Sequence, residues 1–447
     1  MGDTNSKYIK LILLHVLIGL AIFWVPFLAK IYAALIFIGG LVWVIKTQNK
    51  SNEVLLVGAY IVGSEVLLRM THGSPLYEFS KYSVTIFSVI GIFFSGFSKN
   101  SIPYWTFLIL LIPGILIATE TLNFTTDIRK TIVFNISGPV CLGLTALYTY
   151  NRNITFSQMN AVFLSAGLPI VTTAMYLILY TPDLSEALTG TSSNFQTSGG
   201  FGPNQVATVL GLGMFVFFSR LIFASPNKLS TIINAILLFN ISYRGLVTFS
   251  RGGMITGFIM IIVLIFILYR STKNSGKIKL NYLVVLFSVA LLSTWAYTSS
   301  QTGGLIEKRY SNEDALGRKK ENLMAGRENI SLNEMDLFLE NPFFGIGVAK
   351  GAEIRYEESG QIQLSHNEIT RMMAEHGALG ILALLILLLT PMVMYLNNKQ
   401  NIFVFCCLVF WLLTINHAAM RIAAPAFIYA LSLLKIQMDE TPAIHRK

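Results

Sequence analysis

GGMITGFIMIIVLIFILYR, residues 252–270, decides the fold class. These 19 residues carry one charge, at the far end. As a helix they are long enough to cross roughly 30 Å of hydrocarbon. They lack the apolar/polar alternation of a membrane barrel strand. Similar runs extend in both directions at about 10–28, 31–46, 53–70, 82–97, 102–119, 131–150, 159–181, 204–223, 229–249, 280–299, 378–396, 401–416 and 419–435. The chain is 53% hydrophobic and 13% charged over 447 residues, an excess that no soluble core requires. The reading is an all-α polytopic membrane protein of about 12–14 transmembrane helices with one large, partly helical loop at 300–377. That loop separates an N-terminal bundle, 1–299, from C-terminal helices and a short tail, 378–447.

The first run follows Lys7 and Lys10. It is too long for the apolar region of a signal peptide and no small-x-small site follows it, so it reads as a span. Cys141, Cys406 and Cys407 fall within apolar runs and read as small core residues rather than a disulfide framework or metal site.

The formal charge of +10 could suggest nucleic acid, but its distribution indicates topology. With a cytoplasmic N-terminus, alternate connections carry Lys46 and Lys50, Lys99, Arg152, Lys228, Arg270 with Lys273, Lys277 and Lys279, Lys399, and finally Lys435, Arg446 and Lys447. This is the positive-inside pattern, and it puts both termini in the cytoplasm. The opposite face receives 71–81, 120–130, 182–203, a tight turn at Ser250–Arg251, 300–377 and the turn near His417. The long loop is slightly acidic, and its Pro342, glycines and amphipathic stretches mark it as folded.

Charged groups at or within membrane helices cost a few kcal/mol, so each calls for a partner, a water-filled cavity or a function. Glu65 and Arg69 share one helix face, either as a self-neutralising pair or as substrate contacts, and that face points inward. Arg244 lies inside a span. Arg251 sits between Ser250 and the Gly252–Gly253 pair, which would let a ligand approach the backbone, and its planar guanidinium suits a phosphate. In the large loop, Ser331 and Glu334 read as a capping box for a helix to about Glu340, which Asn341 and Pro342 stop. On spacing alone, the Gly345 and Gly347 that follow read as a surface turn. Ser365 and Glu368 read as a second capping box, placing His366 in the first turn of a helix. The positive helix end there favours a neutral imidazole able to accept a proton, although a lone histidine is more often a capping or surface residue than a base.

Taken together, FGPNQVATVLGLG at 201–213, FSRGG at 249–253, AGR at 325–327, FLENPFFGIGVAKG at 338–351 and SHNEITRMMAEHGALG at 365–380 resemble the O-antigen ligase and polymerase family, in the same order. The resemblance covers about half the chain, from 201 to 380. It implies a GT-C-like, inverting, metal-independent glycosyltransferase of the bacterial inner membrane, with a periplasmic active site and no cofactor. The implied partners are membrane lipids, an undecaprenyl-pyrophosphate-linked glycan donor, and lipid A core or another glycan as acceptor, but not nucleic acid. It also implies that His366 is the essential histidine, that Arg251 contacts pyrophosphate, and that Arg327 is the loop's Gly-Arg position. Arg69, Glu65, Arg371 and Asn367 join them as candidate pyrophosphate or glycan contacts. The family has a bulky aromatic shortly after the Gly-Arg, where this chain has Asn329 and Ile330. A polymerase would share all of these residues. A flippase or transporter would show inverted repeats and midplane charges, and the sequence has neither.

Overall fold

The computed structural model describes residues 2–123, 127–320, 327–361 and 363–438. Helices α1 (Gly2–Trp24), α2 (Leu28–Thr47), α3 (Glu53–Met70) and α4 (Phe79–Ser95) lead to α5 (Ile102–Leu110), α6 (Ile112–Thr121) and α7 (Ile128–Thr149). Strand β1 (Asn153–Thr155) precedes α8 (Phe156–Tyr180), the short α9 (Leu184–Ala187), α10 (Pro203–Phe223), α11 (Lys228–Leu246), α12 (Arg251–Ser271) and α13 (Asn274–Gln301). The large loop holds α14 (Leu305–Tyr310), α15 (Arg327–Glu340) and α16 (Lys350–Ser359). The chain then continues through α17 (Glu368–Asn397), α18 (Val404–His417), α19 (Ala424–Leu431) and strand β2 (Lys435–Gln437).

Among the described residues, ten helical stretches are long and apolar enough to cross a membrane, and α4 and α18 are shorter apolar helices. The 18 residues of α3 add a length of about 27 Å, although this helix carries Glu53, Glu65 and Arg69. The protein is therefore an all-α polytopic membrane protein, with one pair of three-residue strands. Residues 102–121 bend at Leu111, where Pro113 has no N–H for the preceding turn and its ring crowds that turn.

The last predicted run is different. Only residues 424–431 of 419–435 are helical, about 12 Å of rise, flanked by irregular chain before β2, which pairs in parallel with β1. Irregular backbone at membrane depth requires cover from protein. Residues 418–434 have it, being buried apart from the half-buried Arg421.

Close packing fixes the centre of the bundle. A Cβ on Gly253 would lie 2.3 Å from the backbone of Ala207 and Thr208, and one on Gly257 would lie 2.3 Å from the Gly211 carbonyl, so α10 and α12 touch backbone to backbone. The loops gather at two ends. At one end, Asn52 Nδ2 donates to the Asn153 carbonyl (3.4 Å), Arg152 to that of Gly96 (2.8 Å) and Asn401 to that of Leu434 (2.9 Å). At the other, Thr191 Oγ1 donates to the Glu313 carbonyl (2.7 Å), Asn194 N to that of Thr248 (3.0 Å) and Ala419 N to that of His366 (3.1 Å). The second set joins loops 182–203 and 300–377, which the charge pattern assigned to one side, to one another and to segment 418–423, which was read as part of a membrane run. Arg446 and Lys447 lie outside the described residues.

Candidate active site

The site is built on a strained turn. Between α11 and α12, Phe249 adopts φ 57°, a left-handed conformation that is an outlier for a bulky residue. Its surroundings hold it there. The ring is buried against Leu184, Leu188, Tyr243, Val247 and Ile306, and the carbonyl accepts a bond from Arg309 Nε at 2.8 Å. Thr248 Oγ1 donates to the Gly245 carbonyl (2.7 Å) and accepts from Ser250 N (3.2 Å), while Ser250 Oγ donates to Asn204 Oδ1 (2.8 Å). Arg251 is thereby fixed as the first residue of α12, with Nη1 3.4 Å from the Arg309 carbonyl.

His366 comes from the other side of the site, and its local structure differs from the expected capping box. Asn367 is the cap of α17, its Oδ1 accepting from Ile369 N at 2.9 Å. Glu368, itself buried, does not reach back to Ser365 but pairs with the half-buried Arg371 and accepts from Met420 N at 3.4 Å. Pairing a buried carboxylate outweighs closing a cap. His366 therefore lies one residue before the cap rather than within the first turn. The other expected box is also absent, because α15 begins at Arg327 and Ser331 is interior to it. Glu334 instead binds Thr370 Oγ1 (2.6 Å), Ser365 Oγ (3.2 Å) and Arg355 Nη1 (3.4 Å). The stop at Asn341 is observed: the helix ends at Glu340.

Arg251, His366 and Asn367 line one cavity of about 590 Å³. Its wall also includes Arg309, Lys320 and His417, and no carboxylate among the described lining residues. The N-terminal ends of α10, α12 and α17 converge there through Asn204, Arg251 and Asn367, and their partial positive charges add to the side-chain cations. Beside them, burial pushes the Tyr310 phenol up to about 12 against the opposing pull of Arg251 and Arg309, so it remains a neutral hydroxyl. Three cations and two imidazoles around one cavity suit a polyanion carrying a polar, sugar-sized group. Among the described residues no group of three His, Cys, Asp or Glu side chains converges as metal ligands would.

Other predicted residues lie elsewhere. Glu65 and Arg69 form a buried pair, Nη2 to Oε1 at 2.7 Å, extended by Glu78 and Lys81 and outside the cavity lining. Arg371 is enclosed by Glu368, Glu375 (3.5 Å) and Asn135 Oδ1 (3.1 Å). Arg244 donates to the Thr181 carbonyl at 3.2 Å. Arg327 opens α15, but its side chain lies outside the described residues, as do residues 325 and 326 of the AGR motif. The space over Gly253 is taken by α10, so that glycine serves packing, whereas Gly252 lines the cavity beside the His417 ring, which a Cβ there would meet at 2.5 Å.

The Gly345–Gly347 segment is a wedge rather than a surface turn. In an unbroken α17 the Ala374 carbonyl would take the N–H of Ala378; instead it takes that of Ile346 (2.9 Å), and Ala378 gives its own to Pro342 (2.7 Å). Gly377, at φ 60°, opens the helix for this exchange, and a Cβ on Gly345 would meet the Glu375 and His376 backbone at 2.5 Å. Val348 N then bonds to Gly114 of α6 at 3.0 Å, so the loop is seated on the bundle.

Arg309, Lys320 and His417 were not anticipated as site residues. Arg318–Lys320 is a basic run on the face where positive-inside counting expects few cations, and that run is a readable signal. Arg309 has no such signal, because its partners are a backbone carbonyl and Ser193 Oγ (3.2 Å). With the geometry established, the model of the O-antigen ligase family matches residues 235–385, a range that holds Arg251, Arg309, Lys320, His366 and Asn367. No curated protein matches the chain.

Proposed function

We propose that this chain, whose match at 235–385 supports the O-antigen ligase and polymerase family, transfers a glycan from an undecaprenyl-pyrophosphate carrier to an acceptor hydroxyl at the periplasmic face of the inner membrane. The observation that carries this reading is the cavity in which Arg251, Arg309 and Lys320 share the wall with His366, with no carboxylate among its described lining residues. The cations would bind the pyrophosphate, and their stabilisation grows as the carrier leaves with the bonding electrons of the anomeric C–O bond. His366 would accept the proton of the acceptor hydroxyl as that oxygen attacks the anomeric carbon from the opposite side. One displacement inverts the anomeric centre and requires no enzyme nucleophile. The donated proton and the charged leaving group are then both accounted for by groups of this chain.

Ligase and polymerase chemistry differ only in the acceptor, lipid A core or another glycan. The glycans of a deletion strain separate them. Loss of polymer from lipid A core, with carrier-linked polymer accumulating, identifies a ligase; loss of long chains, leaving single repeats, identifies a polymerase. Unchanged surface polysaccharide would overturn both. For the site, His366→Ala is expected to fold and insert but not transfer, and normal transfer by that variant would remove the base assignment.

A further inference from the structure

The structure assigns Arg421, and behind it the Glu65–Arg69 pair, as positioning residues for the imidazole of His366, an assignment that rests on the role proposed for that histidine.

His366 precedes the cap of its helix, and its main chain is gripped by the irregular segment 418–423. Ala419 N donates to the His366 carbonyl at 3.1 Å, and Arg421 Nη2 donates to the carbonyls of Ser365 (2.7 Å) and Leu364 (3.4 Å). Met420 N reaches Glu368 at 3.4 Å. The segment thus touches the chain on both sides of the imidazole. Ala419 itself is left-handed, φ 52°, a conformation that its surroundings must impose.

That imposition comes from the buried charges. Glu65 Oε2 accepts from Ala423 N at 2.7 Å, Arg69 Nη2 donates to the Arg421 carbonyl at 3.1 Å, and Lys81 Nζ donates to the Met420 carbonyl at 3.3 Å. Non-helical backbone within a membrane protein leaves both N–H and C=O groups to satisfy. A carboxylate and a guanidinium four residues apart on α3 supply one acceptor and one donor at a fixed spacing, which no apolar pair could do. With Glu78 and Lys81 the cluster holds two acids and two bases, so it grips without requiring a counter-ion. The chain of contacts runs from Glu65 and Arg69 to segment 418–423, then to Ser365 and His366.

The test uses the full-length purified protein with carrier-linked glycan extracted from the host's deletion strain as donor. For Arg421→Gln we expect the number of donor-binding sites per chain to be unchanged and KM for the donor to stay within about two-fold. The rate kcat per site is expected to fall roughly 10–100-fold, the size of effect that a displacement of about 1 Å in a catalytic group produces. Arg421→Lys, which keeps the charge but not the fork, is expected to recover part of the loss, and it replaces Arg421→Gln if that variant fails to accumulate. Loss of donor sites in proportion to activity would make Arg421 a fold-supporting residue only, a raised KM at normal kcat would make it a substrate contact, and unchanged kinetics would leave it no role; each overturns the inference. An inactive His366→Ala alongside a normal Arg421→Gln removes only the positioning role, whereas a normal His366→Ala removes the base assignment itself.

Discussion

Two groups of charge sit at the same end of the bundle and follow opposite plans. Around Glu65 the signs balance: Glu65, Arg69, Glu78 and Lys81 are all buried, their ion pairs are with one another, their hydrogen bonds include backbone groups of segment 418–423, and Arg69 also lies over the Tyr77 ring. Around Arg251 they do not balance, since Arg251, Arg309 and Lys320 share a cavity of about 590 Å³ with no described carboxylate on its wall. Charge paired within the protein holds a fold in place, whereas cations gathered on a cavity wall can also meet an anion that enters it. Sequence position alone does not separate the two, because Arg69 and Arg251 both stand at the end of a helix on the same side of the bundle.

The contrast can be broken experimentally. The largest effect is expected from His366→Ala, a loss of roughly 10²–10⁴-fold in transfer, the usual contribution of a general base, with unchanged thermal unfolding in detergent. Arg69→Ala should act first on stability. It leaves buried Glu65 and Glu78 short of a partner and is expected to cost roughly 3–5 kcal/mol of stability, visible as lost membrane yield and a lower unfolding temperature. If Arg69→Ala accumulates and unfolds as the unaltered protein does, the division between the two clusters is wrong. Arg251→Lys should sharpen the contrast, because a point charge cannot replace a fork: a loss of roughly 10²–10³-fold in rate is expected at constant stability. Gly253→Ala, which pushes a methyl into the α10 backbone, should cost about 1–3 kcal/mol through packing.

The smallest effect is expected at Glu334, which belongs to neither group. Burial pushes its carboxyl above the usual range, against the pull of Thr370, Arg355 and Ser365. The folded protein therefore holds that proton more tightly than the unfolded chain does. The resulting stability is complete below the ordinary glutamate range and is lost as pH rises through the raised value. Glu334→Gln should remove this slope, so the unfolding temperature of the variant should vary less with pH in mildly acidic buffer than that of the unaltered protein.

The spans were legible because a bilayer sets a length and a composition, and residues 252–270 meet both. The turn at Arg251 and the histidine at 366 were legible as motifs, and they line the same cavity. Of the features that were misread, three failed because a side chain or backbone group had a competing partner. Ser365 and Glu368 have the spacing of a capping box, but Glu368 is drawn to Arg371, three residues on, and to Met420, which is remote in sequence. Gly345 and Gly347 look like a turn until the open carbonyl of Ala374 appears beside them. The run 419–435 has the composition of a helix, but it is pinned by Glu65, Arg69 and Lys81. Arg309 reads as one more surface cation until the strained Phe249 carbonyl supplies its partner.

The short α19 also bears on how the protein is made. An eight-residue helix with irregular flanks cannot enter lipid by itself, because its open backbone groups would each cost several kcal/mol there. It has to slide down a path already walled by α3, α7 and α18, which surround it in the finished molecule. Segment 418–423 travels with it, so the chain around His366 is gripped only once the last crossing has docked. Order of synthesis thereby becomes order of arming: a nascent chain can expose its arginines and histidine to the membrane surface before they are aligned.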